Sequence, residues 1–213
     1  MQKLCLAVVT VLAAFSLGSG ARASTFDFGF TGPGVSGSVE LTYGTATDSR
    51  YSSAFVVTGI SGTFSDSNIG ISNAQIGMLE PRDFATPEPG NLLAPNSFSR
   101  FEVSAGLPVD NHGVLTYDNL FWPGGSQPTA TDYMAHGGFL DIYGLLFDIG
   151  GGQVVNFWSN GALGNGVDYG VAVATSAISR DYVSGGVSVP EPASLALLGF
   201  GIAALTATRR RAA

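Results

Sequence analysis

Phe26, Phe28 and Phe30 alternate with Thr25, Asp27 and Gly29; beyond a Thr31-Gly32-Pro33-Gly34 turn, Val39, Leu41 and Tyr43 alternate with Ser38, Glu40 and Thr42. Side chains two apart share a face of a strand, so this stretch reads as a hairpin with one apolar and one wet face. The same short-period pattern, broken by Gly, Pro, Asn and Asp, continues to about residue 179. It predicts further strands over 54–65, 69–79, 97–105, 114–121, 139–149, 153–159 and 167–177. Helical spacing is nearly absent there, and the expected fold is all-β: a two-sheet, jelly-roll-like β-sandwich. Around Gly150-Gly151-Gly152, apolar side chains fill both faces (Phe139, Tyr143 and Phe147; Leu140, Ile142 and Leu146), which places that hairpin in the middle of a sheet. Prolines and glycines mark 80–96 and 122–128 as surface loops.

The two ends follow a different pattern. Met1-Gln2-Lys3 gives a short positive start, 4–17 is an apolar run, and Ala21-Arg22-Ala23 is a small-x-small site of the kind signal peptidase reads. Residues 1–23 therefore read as a signal helix cut between Ala23 and Ser24, leaving a body over 24–188. The single cysteine, Cys5, lies in this leader, so the body carries neither a disulfide nor a thiolate nucleophile. At the other end, Val189, Pro190, Glu191 and Pro192 precede an apolar stretch over 194–208 and the cluster Arg209, Arg210 and Arg211. Fifteen helical residues reach about 22 Å against a hydrocarbon core of about 30 Å, so the stretch reads as a short transmembrane helix and a weak anchor. The arginines would act as its membrane stop, holding that end on the cytoplasmic side with the body outside.

That order of hinge, short apolar helix and arginine cluster resembles the PEP-CTERM sorting signal of exported proteins in Gram-negative bacteria, a tail also labelled "ice-binding protein C-terminal domain". The chain contains its own control: Pro87-Glu88-Pro89 is followed by Gly90 and Asn91, with no apolar helix or arginine run behind it, and reads as a turn. The resemblance implies that an exosortase recognises and cuts near 189–192, with this protein as its substrate. It further implies passage through the inner membrane to the cell surface or exopolysaccharide matrix. Parts of the body, such as 60–64, 118–121 and 139–158, also resemble a recurring type of exported PEP-CTERM protein, a likeness that brings no catalytic residue with it.

Composition narrows the remaining choices. The chain has 213 residues, 45% hydrophobic and 12% charged, enough for one folded domain and unlike a disordered chain. Between 24 and 189 there are four arginines, no lysine and fifteen carboxylates, a net charge of minus 11, which excludes nucleic acid as a partner. A zinc site built from His112, His136 and Asp132 would need helical spacing in a chain without helices, so the histidines read as loop residues. Asp66-Ser67-Asn68 opens like a calcium loop, but Gly70, Ile71 and Gly77 stand where the next ligand, the glycine and the closing glutamate belong, so it reads as a turn. Calcium held by scattered carboxylates, such as Asp110, Asp118, Asp132 or Asp148, stays open; no motif calls for a cofactor. Neither a Gly-x-Ser-x-Gly elbow nor a phosphate loop is present. The expected role is noncatalytic. The alternative is a lectin-like module in which Trp122, with Asp118 and Asn119, or Trp158, beside Asn156 and Asn160, stacks on a polysaccharide. A glycoside hydrolase with two facing carboxylates ranks below that.

Overall fold

The computed structural model describes residues 23–81, 117–129, 134–162, 164, 166–175 and 179–190. These residues form two antiparallel sheets and no helix. The first comprises β1 (Ser24–Thr31), β2 (Val35–Thr47), β3 (Phe55–Asp66) and β4 (Ile71–Gln75) in that order, with β5 (Leu120–Phe121) paired to the start of β3. The second comprises β6 (Leu145–Asp148), β7 (Gln153–Ala162), β8 (Val167–Thr175) and β9 (Ser179–Val187), again in chain order. The predicted signal helix, the strand at 97–105, the apolar helix at 194–208 and Arg209–Arg211 lie outside the described residues.

The jelly-roll-like connectivity is corrected by this order. A jelly roll interleaves its strands through two Greek keys, whereas among the described residues β1–β4 and β6–β9 each run in chain order, with β5 alone returning to pair with β3. The cause is local: the turns at 32–34, 67–70 and 149–152 are too short to carry the chain past its neighbour.

Alternation places the core. Phe28 and Phe30 of β1, Val39 and Leu41 of β2 and Phe64 of β3 point into one apolar cluster with Leu145, Phe147, Val155, Phe157, Val171 and Val173 of the second sheet. Phe157 is its hub, with ring centroids 4.7 Å from Phe30, 5.6 Å from Phe28 and 5.3 Å from Tyr169. Burying a side chain of this size contributes about 1.5–3 kcal/mol. The first sheet keeps the expected wet face, with Thr25, Asp27 and Gly29 exposed. The second does not: Val154, Trp158, Ala172 and Ala174, one residue out of phase, pack on its far face with Tyr117, Ile142, Tyr143 and Leu146.

The two sheets also meet along their edges. Gly77 N, Met78 O and Glu80 N bond to Asp148 O, Asp148 N and Leu146 O at 2.8–2.9 Å, so the segment after β4 covers the outer edge of β6. The hairpin expected in mid-sheet thus has β7 inside and β6 at the end of its own sheet, sealed by a strand-like segment from the other. Of the predicted strand 139–149 only Leu145–Asp148 pairs as a strand, because Asp141 and Gly144 turn the chain just before it. At the opposite corner, Thr31 and Ser188 exchange two backbone bonds of 3.0 and 2.8 Å.

Candidate functional site

The residues singled out for glycan contact serve as structural parts, Trp122 and Trp158 in separate apolar clusters. Asp118 Oδ1 accepts from Leu120 N at 3.2 Å and turns the chain into β5. Asn119 adopts a left-handed backbone with φ of 51°, a region shared only by Asn73 at 48° among the non-glycine residues described. Its Oδ1 accepts from Leu146 N at 3.0 Å and its Nδ2 donates to Glu80 O at 2.9 Å. Its backbone carbonyl accepts from Val57 N at 3.0 Å. One residue therefore ties β3, β6 and the edge segment together, its side chain holding β6 and the edge segment and its backbone holding β3.

Both indoles are sealed. Trp122 is 1% exposed, packed on Ala54 and Leu120 with the Tyr51 ring 5.2 Å away. Trp158 is 0% exposed; it stacks on Tyr182 at 5.6 Å and donates from Nε1 to Asn160 Oδ1 at 2.9 Å. Asn156 is equally committed, with Nδ2 donating to Tyr143 O and Leu145 O at 3.1 and 2.9 Å. Sugar stacking needs an aromatic face open to solvent, so the predicted glycan constellation of Asp118, Asn119, Trp122 and Trp158 does not form a binding surface. Aromatic–amide composition does not separate a sugar platform from a sheet core; burial decides it.

Sequence reading missed Asp141, which lies beside Asp118. Its Oδ1 accepts from Tyr143 N and Gly144 N at 3.0 and 3.1 Å. Burial pushes its carboxyl above the ordinary range, against the opposing pull of those amides and of the adjoining Asp118 side chain. The neighbouring Asp48 pairs with Arg50 at 3.2 Å, and the Arg50 guanidinium stands 5.4 Å from the Tyr51 ring centroid. Burial also raises the Tyr51 phenol, opposed by Arg50. A hydrolase of the glycosidase type needs its two carboxyls across an open cleft with room for substrate. Asp118 and Asp141 are in mutual contact and buried, so this pair does not meet that requirement. His136 is an exposed loop residue, whereas His112 and Asp132 lie outside the described residues. No group of three His, Cys, Asp or Glu gathers in metal-binding fashion among the described residues.

The second place of interest is where the chain leaves the body. Val187 is buried against Gly32, Ser188 is bonded to Thr31, Val189 is half-buried against the main cluster and Pro190 is exposed. Val189 and Pro190 of the hinge are thus described, whereas Glu191 and Pro192 lie outside the described residues. Ser24 opens β1 and Ala23 is exposed just before it, while Ala21 is outside. Among the described residues no helix is long and apolar enough to cross a membrane.

An all-β body that ends directly in a sorting segment is the class of protein these features define. The segment is a PEP-CTERM protein-sorting motif, matched over residues 188–211, which implies exosortase-dependent sorting of an exported precursor. No curated protein and no solved structure matches the chain.

Proposed function

We propose that this chain is an exported, noncatalytic β-sandwich protein of the cell surface or exopolysaccharide matrix. Signal peptidase removes 1–23; the 194–208 helix then holds the precursor at the inner membrane, Arg209–Arg211 inside, until an exosortase cuts near 189–192. The observation carrying this reading is a coincidence of boundaries. The sorting match begins at Ser188, the last residue paired to another strand among the described residues, so body and address share only the junction at Ser188 and Val189. Two sheets sharing one apolar cluster support reading the body as a sandwich. The lectin-like alternative loses its main support because both indoles are buried.

Intact mass of the extracellular product tests the proposal. In the exporting host it should begin at Ser24 and lack 194–213; in a strain without exosortase the tail should stay attached and the chain should stay with the membrane. Extracellular protein carrying an intact Arg209–Arg211 end would overturn it.

A further inference from the structure

Asp66-Ser67-Asn68 starts a cation loop that the following residues fail to complete. The fold supplies what the loop lacks. Asp66 ends β3 with its side chain turned inward and 0% exposed. Its Oδ1 accepts from Asn68 N at 2.9 Å, whereas Oδ2 has no donor among the described residues. Besides the backbone amides of Asn68 and Ile69, the group that meets this carboxyl is a second carboxyl, Asp181 of β9. Asn68, 113 residues earlier in the chain, bridges the two turns: its Nδ2 donates to Asp181 Oδ2 at 2.9 Å and to Pro33 O at 3.2 Å. Gly34, with φ of +81°, makes room for that amide, since a Cβ there would overlap it.

Two carboxylates facing each other, one of them buried, repel and are poorly solvated, so they call for a positive partner. The described residues supply none. Their one ion pair is Arg50–Asp48, and Arg180, exposed at the irregularity of β9 beside Asp181, forms no ion pair with either carboxylate. The β1–β2 turn contributes only Pro33 and Gly34, and the β3–β4 turn only Ser67 and Asn68, none of them ionisable. Hard oxygen ligands of irregular arrangement suit calcium, which accepts six to eight at flexible geometry, better than magnesium, which demands a near-ideal octahedron. Asn68 is exposed and Asp181 half-buried, so water can fill the remaining positions. Rotation of the Asn68 amide would bring its oxygen to the place its nitrogen now holds.

We propose that Asp66 and Asp181, with the Asn68 amide, bind a divalent cation of the calcium type that locks the β3–β4 turn of one sheet to β9 of the other. The site is independent of the export reading.

The full-length chain, purified in detergent and stripped with chelator, is titrated with calcium chloride by calorimetry and followed by thermal melting. One ion per chain should bind, the melting temperature should rise with calcium, and magnesium should act more weakly. Asp66→Asn and Asp181→Asn should each weaken binding by about 10- to 100-fold, whereas Asp27→Asn, on the exposed face of β1, should leave it unchanged. Asparagine keeps the shape at position 66, and circular dichroism checks that each variant folds. Acidification should also weaken binding in the unaltered protein, since protons compete with the cation for the carboxylates. Absence of calcium-dependent heat and melting shift up to about 10 mM, beyond the range of extracellular calcium modules, would overturn the proposal. So would undiminished affinity in the folded Asn variants.

Discussion

Replacing Gly170 by alanine should destabilise the body far more than one methyl group ordinarily would. Gly170 of β8 stands opposite Trp158 of β7, and a Cβ placed there would lie 2.8 Å from the indole Nε1 and closer still to two ring carbons. The backbone at Gly170 is in a region open to alanine, so the strain is steric alone. The indole has no easy retreat, because Tyr182 stacks on it at 5.6 Å with rings 17° apart, and Asn160 holds Nε1 at 2.9 Å. Overpacking of a filled core costs about 1–3 kcal/mol, and losing the Nε1 bond would add about 1 kcal/mol. Each kcal/mol corresponds to about 2–4 °C in melting temperature at this size, so a fall of roughly 4–16 °C is expected. Trp158→Phe alone should destabilise by about 1–3 kcal/mol through vacated volume. In the double variant the new methyl occupies that volume, and the coupling should come to about 1–2 kcal/mol in favour of the pair. Urea unfolding of all four proteins, with slopes compared, measures this. If Gly170→Ala stayed within about 0.5 kcal/mol of the parent, or its effect simply added to that of Trp158→Phe, the indole would not be clamped. Its reading as a core group would then fall, and a solvent-facing role would return.

Three further outcomes follow from the same packing and charges. Asn119→Ala removes one buried and one part-buried side-chain hydrogen bond, leaves Leu146 N without its acceptor and strains a left-handed backbone; about 2–4 kcal/mol should be lost in chemical unfolding. Phe157→Ala opens the centre of the shared aromatic cluster and should cost about 3–5 kcal/mol with loss of near-ultraviolet dichroism. Burial, and then the charge of Asp181, raises the Asp66 carboxyl from 3.8 to about 6. The native state therefore holds a proton that the unfolded chain releases, and the stability tied to it is complete below about pH 4 and lost as pH rises through about 6. In chelator, unfolding free energy should decline across that window for the parent and more shallowly for Asp66→Asn; identical slopes would refute the assignment.

Period-two alternation was legible in the sequence wherever one face of a strand is wet. Phe26-x-Phe28-x-Phe30 and Val39-x-Leu41-x-Tyr43 pair as expected, with Phe28 opposite Val39. Buried runs were legible as apolar and not as bounded strands: 69–79 yields only Ile71–Gln75, and the rest is drawn across to β6 by hydrogen bonds no local pattern encodes. β9 was missed altogether. Ser179–Val187 is polar and contains Gly185 and Gly186, so only its position beside β8 makes it a strand. At the candidate sites, local chemistry was visible and tertiary chemistry was not. The Asp66 turn could be read, while its partner Asp181 and the pairing of Asp118 with Asp141 depend on long-range topology. Tryptophans beside amides looked the same in the chain whether sealed or open.

The clasp between Thr31 and Ser188 sets the length of the leash. In the proposed precursor only 190–193 separate the last half-buried residue from the apolar helix, and four extended residues span at most about 14 Å. The body would then ride flush against the headgroups, presenting the end that carries the β1–β2 turn, Asn68 and Asp181 to the bilayer. An enzyme that severs this tether has to work in the narrow gap between a folded wall and the lipid, and reaches Pro190 before any residue the body still holds.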